Sequence, residues 1–144
     1  MKSSNEVIEA IKGFEGLRLT AYKCPAGVWT IGYGHTSRVR EGQTISEAEA
    51  ELMLRADLNV FETFVNAFHE NITQSQFDAL VCLIYNIGIG SYQSSTLKRK
   101  IDEGAPLEEI GQQWQRWVHS NGKVLTALKK RRKWEFELFC KNLL

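Results

Sequence analysis

The sequence predicts an α+β fold, one short β ribbon set into an otherwise helical chain. Three observations carry this expectation. Apolar residues recur at helical spacing up to residue 14 and again from about residue 47 onward. Between these runs lies a stretch that alternates and is broken by glycine and proline. Capping residues stand at the head of several of the periodic segments.

The first helix is expected to follow Asn5 as N-cap, with Glu6 in its first turn and Val7, Ile8, Ile11 and Phe14 at helical spacing. Gly16 supplies the stop, which puts Glu15 in the last turn. Residues 18–36 then read as a β ribbon. Leu17, Leu19 and Ala21 alternate, Pro25-Ala26-Gly27 turns the chain, and Val28-Trp29-Thr30-Ile31 returns. Gly32 and Gly34 leave bare backbone around Tyr33 and end the ribbon at His35. No other stretch reads as sheet.

From there on the expectation is helical. Thr44 or Ser46 caps a helix, with Glu47 and Glu49 at capping-box spacing, that runs to Phe68 with a break near 57–59. Thr73-Gln74-Ser75-Gln76 opens another, with Phe77, Leu80, Val81 and Ile84 inward and Gly88 and Gly90 as stops. Shorter helices are expected over about 95–103, 106–119 and 126–141, with Gly104, Pro106 and Gly122 between them. Trp114, Trp117 and Trp134 read as core, and Trp29 and Tyr33 as aromatics for a sugar.

At 43% hydrophobic and 24% charged, the composition excludes a disordered chain. No apolar run reaches the roughly 20 residues that cross a bilayer, and the first residues lack the apolar stretch of a signal peptide. The expected site of synthesis and storage is therefore the cytoplasm. Three widely spaced cysteines argue against a disulfide framework or a metal site. Cys82 and Cys140 read as small core hydrophobes, whereas Cys24 stands in the turn. Charge is uneven: residues 1–97 hold 7 basic and 11 acidic side chains, and residues 98–144 hold 11 and 6. The basic third suits an anionic partner.

The chemistry concentrates between residues 13 and 36. Glu15 is its only carboxylate, since no Asp or Glu follows until Glu41. A helix C-terminus disfavours a second negative charge, so Glu15 is expected to hold its proton and serve as a general acid. Cys24 and His35 suggest a thiol nucleophile with an imidazole base, but no local hydrolase signature surrounds the cysteine. The plainer reading makes His35 structural, bonded to a carboxylate such as Asp57. The run Lys129-Lys130-Arg131-Arg132-Lys133 spreads round a helix axis, so at least one member must face the fold. It lacks any accompanying nucleic-acid motif, and no nucleic-acid partner is expected.

Phe14-Glu15-Gly16-Leu17-Arg18-Leu19, Ala21-Tyr22 and the run from Gly27 to Thr36 resemble the phage-type lysozyme (endolysin) family, glycoside hydrolase family 24. Asn86-Ile87-Gly88, Ser94-Ser95-Thr96-Leu97 and Arg131-Arg132 with Glu135 extend the resemblance along nearly the whole chain. It implies one lysozyme-like domain over 1–144 in two lobes, with sheet over about 15–58 and helices over about 1–14 and 59–144. A peptidoglycan cleft would lie between them. It further implies a cofactor-free, metal-free monomer that cuts the β-1,4 bond between N-acetylmuramic acid and N-acetylglucosamine. A holin would give such an enzyme access from the host cytoplasm to the wall, without stable membrane association.

The family's catalytic motif is a Glu, an Asp nine residues on, and a Thr six residues after that. Glu15 and Thr30 match, while Cys24 takes the Asp position. The resemblance also implies that Tyr33, Thr36, Tyr85, Asn86 and Ser95 contact substrate, that His35 and Asp57 support the site, and that Arg131 or Arg132 pairs with the catalytic Glu. A thiol of ordinary pKa, about 8.5, is mostly neutral at pH 7, so Cys24 needs help to ionise, and the charge of Lys23 is expected to be solvated. Three readings stay open: Cys24 acts in place of the carboxylate; Glu15 alone forms anhydro products, as in a lytic transglycosylase; or the chain is an impaired wall-binding module. Outside the resemblance, a thiol amidase and a polyanion binder complete the alternatives.

Overall fold

A computed structural model describes residues 1–143. The chain divides into two compact units, residues 5–60 and residues 1–4 with 61–144.

The first unit holds α1 (Asn5–Glu15), the antiparallel pair β1 (Arg18–Lys23) and β2 (Trp29–Gly32), and the first part of α2 (Glu47–Phe68). Asn5 opens α1 rather than standing before it, and Val7, Ile8 and Ile11 are the buried face. Gly16 ends the helix as expected. It adopts φ 74°, and its N–H donates to the Lys12 carbonyl at 2.9 Å. Thr20 bridges to Thr44 beside the pair. At the far end Ile31 and His35 exchange two 2.9 Å backbone bonds, which closes Gly32-Tyr33-Gly34 into a tight turn. Gly32 at φ 66° and Gly34 at φ 89° make that turn possible. Ser46 and Glu49 form the capping box of α2, each side chain bonding the other's backbone N–H at 3.1 Å. The expected break near 57–59 is absent, and α2 is continuous.

The second unit is built round α3 (Gln74–Ile87), opened by the Thr73–Gln76 capping box. Every residue from Phe77 to Ile84 is buried, which marks a central helix wrapped on all sides. Its buried Asp78 takes the N–H and hydroxyl of Ser4 at 3.1 and 2.5 Å. Then follow α4 (Ile89–Gln93), α5 (Thr96–Asp102), α6 (Leu107–Trp114) and α7 (Thr126–Phe139), the last packed against α3. Gly90, expected as a stop, lies inside α4, because the break is made by Gly88 alone at φ 90°.

The largest departure lies between α6 and α7. α6 ends at Trp114, not near 119, and a second hairpin follows, β3 (His119–Ser120) with β4 (Lys123–Val124). Asn121 and Gly122 both take positive φ, 52° and 77°. Asn-Gly is the pair that such two-residue hairpin turns require, so Gly122 makes a hairpin rather than the expected helix stop. Shortening α6 moves Trp117 off the helix and leaves it half-buried rather than core. Trp134 is half-buried too, and only Trp114 is fully enclosed. Among the described residues no helix is long and apolar enough to cross a membrane.

Candidate active site

The first hairpin fixes the position of Cys24. Pro25 presets φ for the turn, Gly27 closes it at φ 81°, and the Gly27 N–H donates to the Cys24 carbonyl at 2.8 Å. The Cys24 N–H donates to the Val28 carbonyl at 3.0 Å, so Cys24 and Val28 face each other across the ribbon. One step inward, Lys23 pairs with Trp29, and one further Tyr22 pairs with Thr30. Side chains alternate along a strand, so Tyr22, Cys24, Val28 and Thr30 share one face and Lys23 and Trp29 the other. The structure therefore brings Cys24 and Thr30 together. It also removes Trp29 from their face, contrary to its expected role in sugar contact; Lys23 lies over its ring at 5.4 Å.

The electrostatics of the thiol come from the same turn. The backbone N–H of Val28 holds the Cys24 thiol below its ordinary value; partial desolvation opposes this, and the Ala26 N–H and the Thr30 hydroxyl add to it. The help that ionisation needs is thus hydrogen bonding from the backbone, not the charge of Lys23. Thr30 is buried, and its hydroxyl donates to the Val28 carbonyl at 3.0 Å. With one proton to give, the hydroxyl serves that carbonyl or the sulfur, and a thiolate favours the sulfur.

Glu15 is the last residue of α1 and is half-buried. Pairing of Arg18 with Gly32 returns β2 to a point three residues beyond it. His35 Nδ1 lies 2.7 Å from Asp57 Oδ2, the carboxylate expected to hold it. Among the described residues no hydrogen bond joins this imidazole to Cys24, so the pairing a thiol amidase would need is not formed. Tyr33 is only 7% exposed, with the Lys12 ammonium 5.7 Å from its ring centre. Lys12 itself bonds Glu51 and Glu9. Thr36 is exposed.

In the other unit the expected residues fall around a buried ion cluster. Glu135 is fully buried and accepts from Arg131 Nε, Arg132 Nη2 and the Trp114 indole N–H, each at 3.1 Å, with Arg132 Nε in ion-pair contact at 2.8 Å. Burial lowers the Arg132 pKa against the pull of Glu135. The same burial, with Glu135 nearby, drives the Cys82 thiol up, so Cys82 stays neutral. Cys140 is half-buried rather than enclosed. Asn86 Oδ1 accepts from Arg132 at 2.8 Å, and the Trp117 carbonyl at 3.2 Å. Of the 129–133 run, only Lys129, Lys130 and Lys133 reach solvent freely.

A pocket of about 550 Å³ opens beside this cluster, between Asn86, Arg116, Trp117, His119 and Arg132. Arg116 and Trp117 also wall a second pocket of about 370 Å³ that includes Ser95. Ser95 caps α5, accepting from the Lys98 N–H at 3.0 Å and donating to the Tyr92 carbonyl at 2.6 Å. Tyr85 is half-buried and meets Phe61 edge-on at 5.3 Å. Arg116, Trp117 and His119 are pocket residues that helical periodicity hides, because they flank a hairpin in a stretch that reads as helix. The Asn121-Gly122 pair is the signal that points to them.

A mainly helical chain here carries a small antiparallel hairpin with a polar pair, the lysozyme-like fold of an endolysin from Escherichia coli O157:H7 phage FAHEc1. The two superpose at a TM-score of 0.85 and 37% identity, covering 98% of this chain and 94% of the other. Residues 12–135 match the phage lysozyme family. The chain is 38% identical over 144 residues to an endolysin of Acyrthosiphon pisum secondary endosymbiont phage 1, covering 96% of this chain and 98% of that one. It is 43% identical over 143 residues to the endolysin of Bacillus phage B103, covering 96% of this chain but 54% of that one, so it spans about half the length of that relative. Among solved structures, the muramidase domain of SpmX from Asticaccaulis excentricus superposes with a TM-score of 0.87 at 42% identity, covering 96% of this chain and 97% of the other. The chain belongs to the phage lysozyme family.

Proposed function

We propose that this chain is an endolysin of lysozyme type, a glycosidase that hydrolyses the β-1,4 bond between N-acetylmuramic acid and N-acetylglucosamine in bacterial peptidoglycan. Family membership supports the reaction class, as does the likeness to the muramidase domain of SpmX. One observation carries the mechanism: Cys24 and Thr30 share a hairpin face, with a thiol held toward its ionised form by the turn.

In this reading Glu15 donates its proton to the glycosidic oxygen as the bond to the anomeric carbon breaks. The Cys24 thiolate takes a proton from the water that attacks that carbon. Thr30 holds the water and hands its own hydrogen bond between sulfur and the Val28 carbonyl. His35 and Asp57 brace the turn. The Arg131–Arg132–Glu135 cluster braces Asn86, and Tyr33 and Thr36 of the first unit, like Tyr85 and Ser95 of the second, are glycan contacts in this reading. The enzyme works on the wall as a monomer, reaching it from the host cytoplasm through a holin lesion.

Lysis of permeabilised Gram-negative cells tests the assignment. Wild type should clear the suspension and release reducing sugars, and Glu15→Gln should do neither. Equal lysis by the two, or release of free amino groups instead of reducing sugars, contradicts it.

A further inference from the structure

The hairpin face that carries Cys24 and Thr30 carries one more organised group. The Arg18 guanidinium lies 4.2 Å from the centre of the Tyr22 ring, and Tyr22 stands directly across from Thr30. The regular pairing slips between Arg18 and Tyr22, and the guanidinium settles over the ring. Arg18 is exposed, and among the described residues no carboxylate forms an ion pair with it. Nor does the ribbon itself offer one, since no Asp or Glu occurs from 16 to 40. Stacking on an aromatic face holds a guanidinium in one plane and leaves its N–H edge open to a bidentate acceptor. A fixed cation without an internal counter-ion, on the face of the reacting groups, is suited to an anion of the substrate.

We propose that Arg18, positioned by Tyr22, is a specificity-determining residue that binds a carboxylate of the glycan being cut. The proposal rests on the lysozyme reading. Two sources offer that chemistry: the carboxylates of the stem peptide, and the lactyl carboxylate of muramic acid once the peptide is removed. Glu15, Cys24 and Thr30 perform the bond cleavage. Arg18 selects an anionic glycan over a neutral one and contributes to binding rather than to the chemical step.

The test is a cycle of kinetics with wild type and Arg18→Gln on three substrates. These are soluble peptidoglycan, the same glycan stripped of peptide by an amidase, and peptidoglycan whose carboxylates have been amidated with ammonium and carbodiimide. One charge-assisted contact predicts that Arg18→Gln raises KM about fivefold to tenfold with kcat unchanged. Amidation should raise the wild-type KM by the same factor and leave the KM of Arg18→Gln unmoved. A loss on the intact glycan alone names the peptide carboxylate, and a loss on the stripped glycan names the lactyl group. Tyr22→Leu should show a smaller rise in KM, and Arg18→Lys should recover part of the loss. Equal KM for wild type and Arg18→Gln, or two losses that add, would overturn the proposal. If wild type cuts none of the substrates, the lysozyme reading fails by itself. Titration calorimetry with the same glycans then reads Arg18 through Kd, with the same outcomes deciding.

Discussion

Cys24 shows what one residue owes to its local backbone. A thiol in place of a carboxylate looks like a loss of charge, and nothing in the composition of residues 16–40 restores it. The turn favours the charged form, because hydrogen bonding from the Val28 backbone, and less so from Ala26 and the Thr30 hydroxyl, lowers the thiol pKa. The consequence is a pH dependence. Activity that needs the thiolate should rise with pH through a limb below the ordinary thiol value. Cys24→Asp should move that limb down to the carboxylate range, as a pH–rate profile of both proteins would show. Glu135 makes the opposite point, a charge that the core cannot lose. Glu135→Gln removes the carboxylate that faces the buried Arg131 and Arg132 guanidiniums and is expected to cost about 3–5 kcal/mol in denaturant unfolding. His69 adds a smaller effect. Burial holds its pKa below 6.5, with Asp102 opposing, Lys98 assisting, and Tyr92 Oη 2.8 Å from Nε2. The unfolded chain therefore takes the proton first. Stability is full above about pH 6.5 and falls as the pH drops toward the folded value. His69→Gln should flatten that slope in thermal melts.

At the scale of elements, the sequence is most legible where a cap or a turn names its own geometry. Gly16, Ser46 with Glu49 and Thr73 with Gln76 each mark a helix end that the structure reproduces. Periodicity fails where two patterns overlap. Trp114 and Trp117 stand three residues apart, a helical spacing, yet the chain leaves the helix at Trp114 because Asn121-Gly122 commits the next residues to a hairpin. The tight turn that follows the first hairpin, between Ile31 and His35, also depends on its glycines. Gly32 holds φ 66°, and a Cβ there would meet Ile45 and Ala50 at 3.5 and 3.6 Å. Gly32→Ala is expected to cost about 1–2 kcal/mol, mostly from backbone strain, measurable as a lower midpoint in denaturant.

At the scale of the whole molecule, the class of fold and the residues of the motif can be read from the chain, but not the source of the thiol's activation or the pockets beside Trp117. Both depend on backbone groups and on a hairpin register that side-chain patterns do not encode. The basic excess after residue 97 is legible in number. Its placement is not, since Arg131 and Arg132 are buried against Glu135, whereas Lys129, Lys130 and Lys133 of the same run are exposed along with Arg99, Arg116, Lys123 and Lys141. Attraction to an anionic wall should then be a screened surface effect, with initial lysis rates falling as ionic strength passes from about 0.01 to 0.15 M.

Cys24 is proposed to do the work of a second carboxylate in a hydrolysis. Mass spectrometry of peptidoglycan digested by wild type, Cys24→Ser and Cys24→Asp tests this most directly. Wild type should give hydrated, reducing muropeptide ends, Cys24→Asp the same products, and Cys24→Ser almost none. Anhydro ends from wild type, or undiminished hydrated products from Cys24→Ser, would contradict it.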